Sequence, residues 1–204
     1  MPAIQREFVW DNNQIEMLFD SLMRDYPIGT FLFWKVEREN ISDFQFYEFL
    51  NNYHEKTGRH NPKADLPSDE GVIALLDGQQ RLTSLYVGLH GTYAKKIPYY
   101  RWDSPHAFPS KKLYLNLLSH SDDIEKEYQF KFLSEDEIES AENTHFWFEV
   151  GSILNFEDIS KVMEHLMLNG LMDTSVYSKE QSSFALKTLN ELYNVVHQKG
   201  IISY

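Results

Sequence analysis

No cysteine occurs among the 204 residues, which excludes a disulfide framework and any thiolate-held metal centre. No apolar run approaches the roughly 18–20 residues that a membrane-spanning helix needs. The opening Met1-Pro2-Ala3-Ile4-Gln5-Arg6 turns polar at once, so no secretory leader is read there. These absences predict a cytoplasmic protein with no membrane association. Positive charge is scarce as well: 19 Lys and Arg face 31 Asp and Glu, a formal net charge of −12. That balance argues against a surface that coats DNA broadly, yet it leaves room for a local cationic pocket. The sequence also lacks a G-x-x-x-x-G-K-[ST] phosphate loop, a G-x-S-x-G elbow and an H-E-x-x-H pair. Its eight histidines show no spacing suited to zinc.

What the chain does have is apolar mass, 42% hydrophobic and 15% aromatic, enough for a real core. Its length fits one domain, or a domain with a helical annex. Asp11-Asn12-Asn13 offers caps, and Ile15, Leu18, Phe19, Leu22 and Met23 recur at helical spacing. Thr30 to Val36 reads as an aromatic-rich strand, Asp43 to Glu55 as a second helix, and Thr57 to Gly71 as a polar loop. Lys112 to Leu118 and Tyr128 to Phe132 alternate as strands and are expected to pair across the Ser119–Lys126 connection. Ser134 to Glu137 forms a capping box before a short helix, and His145 to Val150 is a further strand. Phe156 to Leu171 and Ser178 to Gln198 read as helices. The expected organisation is thus a domain over 1–150 and a helical extension over 151–204. The closing I-I-S-Y reads as a strand just begun, so the sequence is expected to be part of a longer protein.

The segment with chemistry is V-I-A-L-L-D-G-Q-Q-R-L-T-S-L-Y, Val72 to Tyr86. Val72 to Leu76 is a continuous apolar run, expected of a central strand covered on both faces. Asp77 can cap the following helix and Gly78 can adopt a positive φ. Leu82, Leu85, Tyr86 and Leu89 then form the packing face, leaving Gln80 and Ser84 outward and Arg81 on the flank. A cation near a helix N-terminus opposes the dipole by about 0.3–1 kcal/mol, whereas a bound anion reverses that sign. Either the turn binds an anion, or Arg81 is incidental and pairs with a nearby carboxylate. Among the tryptophans, Trp102 in the proline-rich Tyr93–Ser110 segment stands out from a core or interface role.

Three stretches in order, A-I-Q-R-E-F-V-W, Y-P-I-G-T-F-L-F-W and L-L-D-G-Q-Q-R-L-T-S-L-Y, resemble the N-terminal domain of GmrSD-type restriction proteins. H-F-W-F-E-V-G-S-I-L, from His145, is similar to the family too, so the resemblance covers nearly the whole chain. It implies an α+β fold, a ParB/sulfiredoxin-like mixed-sheet domain with a C-terminal helical annex. It implies nucleoside-triphosphate binding and hydrolysis (GTP, ATP or another) with Mg²⁺, coupled to restriction of foreign DNA. In this carry-over Asp77, Gln80 and Arg81 are catalytic. Gln5, Arg6, Gly78, Gln79, Arg81, Thr83 and Ser84 bind nucleotide, and Asp77 touches the metal through water. Alternatively Gln5 and Arg6 only fix the N-terminal strand. Expected partners are nucleotide, DNA through the full-length protein, an HNH nuclease domain or subunit, and a second copy of the chain. Two other readings stay open: a ParB-like DNA- or partner-binding module without turnover, and direct nuclease action at the same cleft. Arg81→Ala is expected to remove phosphate release and leave the fold intact.

Overall fold

The computed structural model describes residues 7–50, 52–58, 61–66, 71–139 and 144–199. Gln5, Arg6 and the closing I-I-S-Y lie outside the described residues. The first helix, α1 (Asn12–Met23), opens on a complete capping box. The Asp11 side chain accepts from the Gln14 amide, and the Gln14 side chain accepts from the Asp11 amide, both at 3.0 Å. Ile15, Leu18, Phe19 and Met23 bury the predicted stripe.

The core is organised around β5 (Lys112–His120), the middle strand of a three-stranded antiparallel sheet between β6 (Tyr128–Leu133) and β7 (Trp147–Glu149). Leu113 faces Phe132 and Leu115 faces Phe130, the expected hairpin, before a register shift carries His120 to Tyr128. Residues Leu113 to Leu118 are buried on both faces, so the clean alternation of the sequence hides a strand covered on two sides. Asn116, fully buried there, is satisfied. Its Nδ2 donates to Gln129 Oε1 at 2.7 Å and Ser119 Oγ at 2.9 Å, while its Oδ1 accepts from the Leu118 and Phe146 amides. Helix α1 docks on β6 through Phe19 on Phe130 and through Asp20, whose carboxylate accepts from the Glu127 and Tyr128 amides.

Residues after Gly151 are helical, as expected: a 3₁₀ turn, then α4 (Ser160–Leu168) and α5 (Lys179–Tyr193). Helix α5 starts on a Ser178–Gln181 capping box and packs on β5, and its Leu189 and Leu192 share one hydrophobic core with the sheet. The short α3 (Glu135–Glu139) follows the Ser134–Glu137 box. The result is a mixed α+β architecture, as the sequence predicts.

Two expectations fail. Asp43 to Glu55 is not a helix: a 3₁₀ turn at Arg38–Asp43 gives way to extended chain and β2 (Asn52–His54), parallel to β4 (Thr92–Ala94). Phe44 packs edge-on against Trp34 at 4.8 Å, Tyr53 stacks on Tyr93 at 4.7 Å, and Glu48 and Ala64 join backbone pairs across residues 46–64. These long-range partners outweigh the local helical spacing. Nor is β3 (Val72–Asp77) a central strand among the described residues: there it pairs only with β1 (Leu32–Val36) in a two-stranded antiparallel ribbon, leaving Ile73 63% and Leu76 53% exposed.

Candidate functional site

The ribbon ends where β3 meets α2 (Gln79–His90), and the D-G-Q-Q-R turn is that junction. Gly78 occupies the cap position with φ of +89°, the left-handed region where a side chain is costly. A Cβ there would also sit 2.6 Å from Phe31 Cδ1. Asp77 is exposed and makes no cap bond, contrary to the expected capping role. The first turn of α2 carries no acid, and the carboxylate of Asp77 has no hydrogen bond or ion pair among the described residues.

The side chains of Gln80 and Arg81 are each committed to backbone through two hydrogen bonds. Gln80 Oε1 accepts from the Val9 amide at 3.0 Å, and its Nε2 donates to the Glu7 carbonyl at 2.9 Å. A single amide thus clasps the N-terminal segment as a neighbouring strand would. Arg81 Nη1 donates to the Ile28 carbonyl at 2.6 Å and Nη2 to the Thr30 carbonyl at 2.7 Å. Its guanidinium lies 4.9 Å from the centre of the Phe31 ring, in cation–π contact. Gly29, at φ of +87°, brings the backbone so close to Arg81 Nη1 that no Cβ would fit. The partner of Arg81 is therefore not a carboxylate but a pair of carbonyls. Two N–H groups of the guanidinium are used in these bonds and three remain.

Other expected site residues fall as follows. Gln79 is half-buried and its Nε2 reaches the Leu75 carbonyl at 3.3 Å. Thr83 and Ser84 are buried behind the turn, and Ser84 Oγ donates to the Gln80 carbonyl at 2.8 Å. Ser84 therefore does not face outward. The buried face of α2 is Thr83, Ser84, Leu85, Val87 and Gly88, with the expected Leu82 and Leu89 half-buried against the core, whereas Tyr86 is exposed. Small residues let α2 approach α1 and β5 closely, which an apolar count cannot register. The sequence reading missed Ile28, Gly29, Thr30 and Phe31 as parts of the turn, although Gly29 in Y-P-I-G-T marked the spot.

At this end of the helix Asp77 is exposed, Gly78 is buried and Gln79 is half-buried, and Gln80 and Arg81 bind it to the two other motif segments. Among the described residues no three His, Asp or Glu side chains gather as metal ligands. A lone exposed carboxylate suits a Mg²⁺ that arrives on phosphates and keeps its waters, not a metal held by the protein. Away from the turn, a groove of about 1030 Å³ runs between the Thr92–Lys112 segment and the start of α3. No described helix is long and apolar enough to cross a membrane.

These features define a small α+β domain in which three sequence motifs converge on one helix N-terminus. The family model described as the GmrSD restriction endonuclease N-terminal domain matches residues 1–201, and the chain belongs to that family. An uncharacterized protein of Methanocaldococcus jannaschii is 36% identical over 108 residues, covering 53% of this chain and 17% of the relative. The chain thus spans a small part of the relative's length.

Proposed function

We propose that this domain binds a nucleoside triphosphate at the D-G-Q-Q-R turn and hydrolyses it as the regulatory or sensor element of a bacterial or archaeal DNA-restriction system. The observation that carries this reading is the acid-free N-terminus of α2, flanked by the exposed Asp77 and by the clamped guanidinium of Arg81. Backbone N–H groups of the first turn and the remaining N–H groups of Arg81 favour phosphate oxygens. Mg²⁺ bound with the nucleotide would supply charge neutralisation on the phosphates, and Asp77 would be the residue to hold it through water. Gln80 acts as a positioning residue: it fixes Glu7, which follows Gln5-Arg6 in sequence, against the turn. DNA and an HNH nuclease domain or subunit are the proposed partners in the full-length protein, with a second copy of the chain as a further one.

A second reading also has an observation behind it. Gln80 is held by one backbone donor and one backbone acceptor and Arg81 by two backbone acceptors, so the motif serves as architecture in a binding module without turnover. Asp77→Asn separates the two, because the Asp77 side chain makes no hydrogen bond or ion pair among the described residues. Under the hydrolytic reading the variant of the full-length protein loses phosphate release at least tenfold with its melting temperature unchanged. Equal phosphate release by variant and parent contradicts that reading and favours the architectural one.

A further inference from the structure

A second surface, formed by the loop between β4 and β5, has a composition unlike the rest of the molecule. Five cations and one acid fall between Lys95 and Lys112, in a chain where acids outnumber cations 31 to 19. Lys111 and Lys112 are paired, with Glu137 at 2.6 Å and Glu149 at 2.8 Å. Lys95 and Arg101 are exposed and have no ion pair among the described residues.

The aromatic residues of this loop point out of the core. Tyr99 is fully exposed, and Tyr100 and Trp102 are 46% and 49% exposed. Tyr99 also sits at φ of +70°, a conformation that a bulky side chain rarely adopts and that holds its ring off the surface. The loop is nonetheless ordered by its own bonds. Ile97 donates its amide to the buried Ala107, Ser104 donates to Arg101, and Ala107 donates to Ser104. Lys56 Nζ donates to the Trp102 carbonyl at 2.8 Å, and the Trp102 ring rests against Phe108 at 5.4 Å with Lys96 Nζ 5.7 Å from its centre. Tyr100 lies on the border of two cavities. One, of about 470 Å³, is lined by Tyr99 and Arg101, and the groove of about 1030 Å³ is lined by Lys95 and Lys96.

Exposed rings interleaved with cations, of which Lys95 and Arg101 are exposed and Lys96 also donates to the Ile97 carbonyl at 3.3 Å, match on this pre-ordered loop the chemistry of an unpaired nucleic-acid strand. Bases offer π faces to aromatic side chains, and phosphates offer charge to the lysines and arginine between them. A continuous duplex hides those base faces, and an acidic peptide has no flat rings to stack. We propose that the Lys95–Phe108 loop is a docking surface for single-stranded nucleic acid, with bases stacked on Tyr99, Tyr100 and Trp102 and phosphates on Lys95, Lys96 and Arg101. The surface goes beyond the triphosphate reading, because it uses none of the residues of the D-G-Q-Q-R turn.

The test is fluorescence anisotropy of a labelled oligo-dT, without nucleotide, against the purified chain. A hairpin duplex of the same charge and polyglutamate serve as competitors. The proposal expects oligo-dT to bind in preference to both, with log K falling against log salt at a slope of about −2 for three cations. Tyr99→Gly relieves the positive φ, so it is expected to raise the melting temperature while weakening binding roughly tenfold. Tyr99→Phe keeps the ring and retains binding. Arg81→Ala with intact strand binding would keep this surface distinct from the nucleotide site, so failure of either reading is visible alone. Undiminished affinity in Tyr99→Gly, equal competition by duplex or polyglutamate, or no binding of oligo-dT would overturn the proposal.

Discussion

At the scale of single residues, Arg81 is a brace whatever else it binds. Its two carbonyl partners lie on the chain 53 and 51 residues earlier, so its loss frees the Ile28–Phe31 segment from α2. Arg81→Ala is expected to lower stability by about 2–3 kcal/mol, the scale of charge-assisted hydrogen bonds, measured by urea unfolding. Arg81→Lys recovers little of this, because one ammonium lacks the planar fork that spans two carbonyls. The expectation of lost activity with an intact fold is therefore better placed on Asp77. Here the sequence was legible in part. The arginine on the wrong end of a helix was visible, but its acceptors are main-chain oxygens, which no side-chain pattern encodes. The glycine at position 29 was the only letter that announced a close backbone approach.

At the scale of elements, legibility followed how much of the burial was local. Helices α1 and α5 announce themselves through capping boxes and single apolar stripes, and both appear where expected. The β5–β6 hairpin is equally plain in its alternation. Asp43 to Glu55 misled because Phe44 and Tyr53 find their partners on Trp34 and Tyr93, outside the window any local reading covers. Strand β3 misled for the opposite reason, as its apolar run ends on an open ribbon. Within β5, Asn116 ties the strand to both neighbours through Gln129 on β6 and the Phe146 amide before β7. Asn116→Ala strands several buried donors and acceptors, and a loss of about 2–4 kcal/mol by urea unfolding is expected. An unchanged midpoint would show that the network contributes nothing beyond packing.

At the scale of the whole molecule, the acidic net charge and one half-buried imidazole shape the response to pH. Burial against Phe148 and Phe156 depresses the pKa of His165 below its ordinary value near 6.5. The unfolded chain then binds the proton more readily than the folded one. This contribution is complete above the unfolded value and is lost as pH falls through the folded one. His165→Phe is expected to flatten the fall in melting temperature between neutral and mildly acidic pH; an unchanged acid limb would assign that fall to other groups.

The central claim, a triphosphate at the N-terminus of α2, is tested most directly by titrating the chain with each Mg²⁺-nucleoside triphosphate in a calorimeter, beside Gln79→Glu. A carboxylate in the first turn favours the helix dipole, which offsets loss of the long Gln79–Leu75 hydrogen bond, so the variant is expected to fold as stably as the parent. It also places negative charge where phosphate would sit. The account predicts saturable binding of one or more triphosphates by the parent, and at least a tenfold loss in Gln79→Glu with an undiminished melting temperature. Binding that is equal in the two proteins, or absent for every triphosphate, would contradict it.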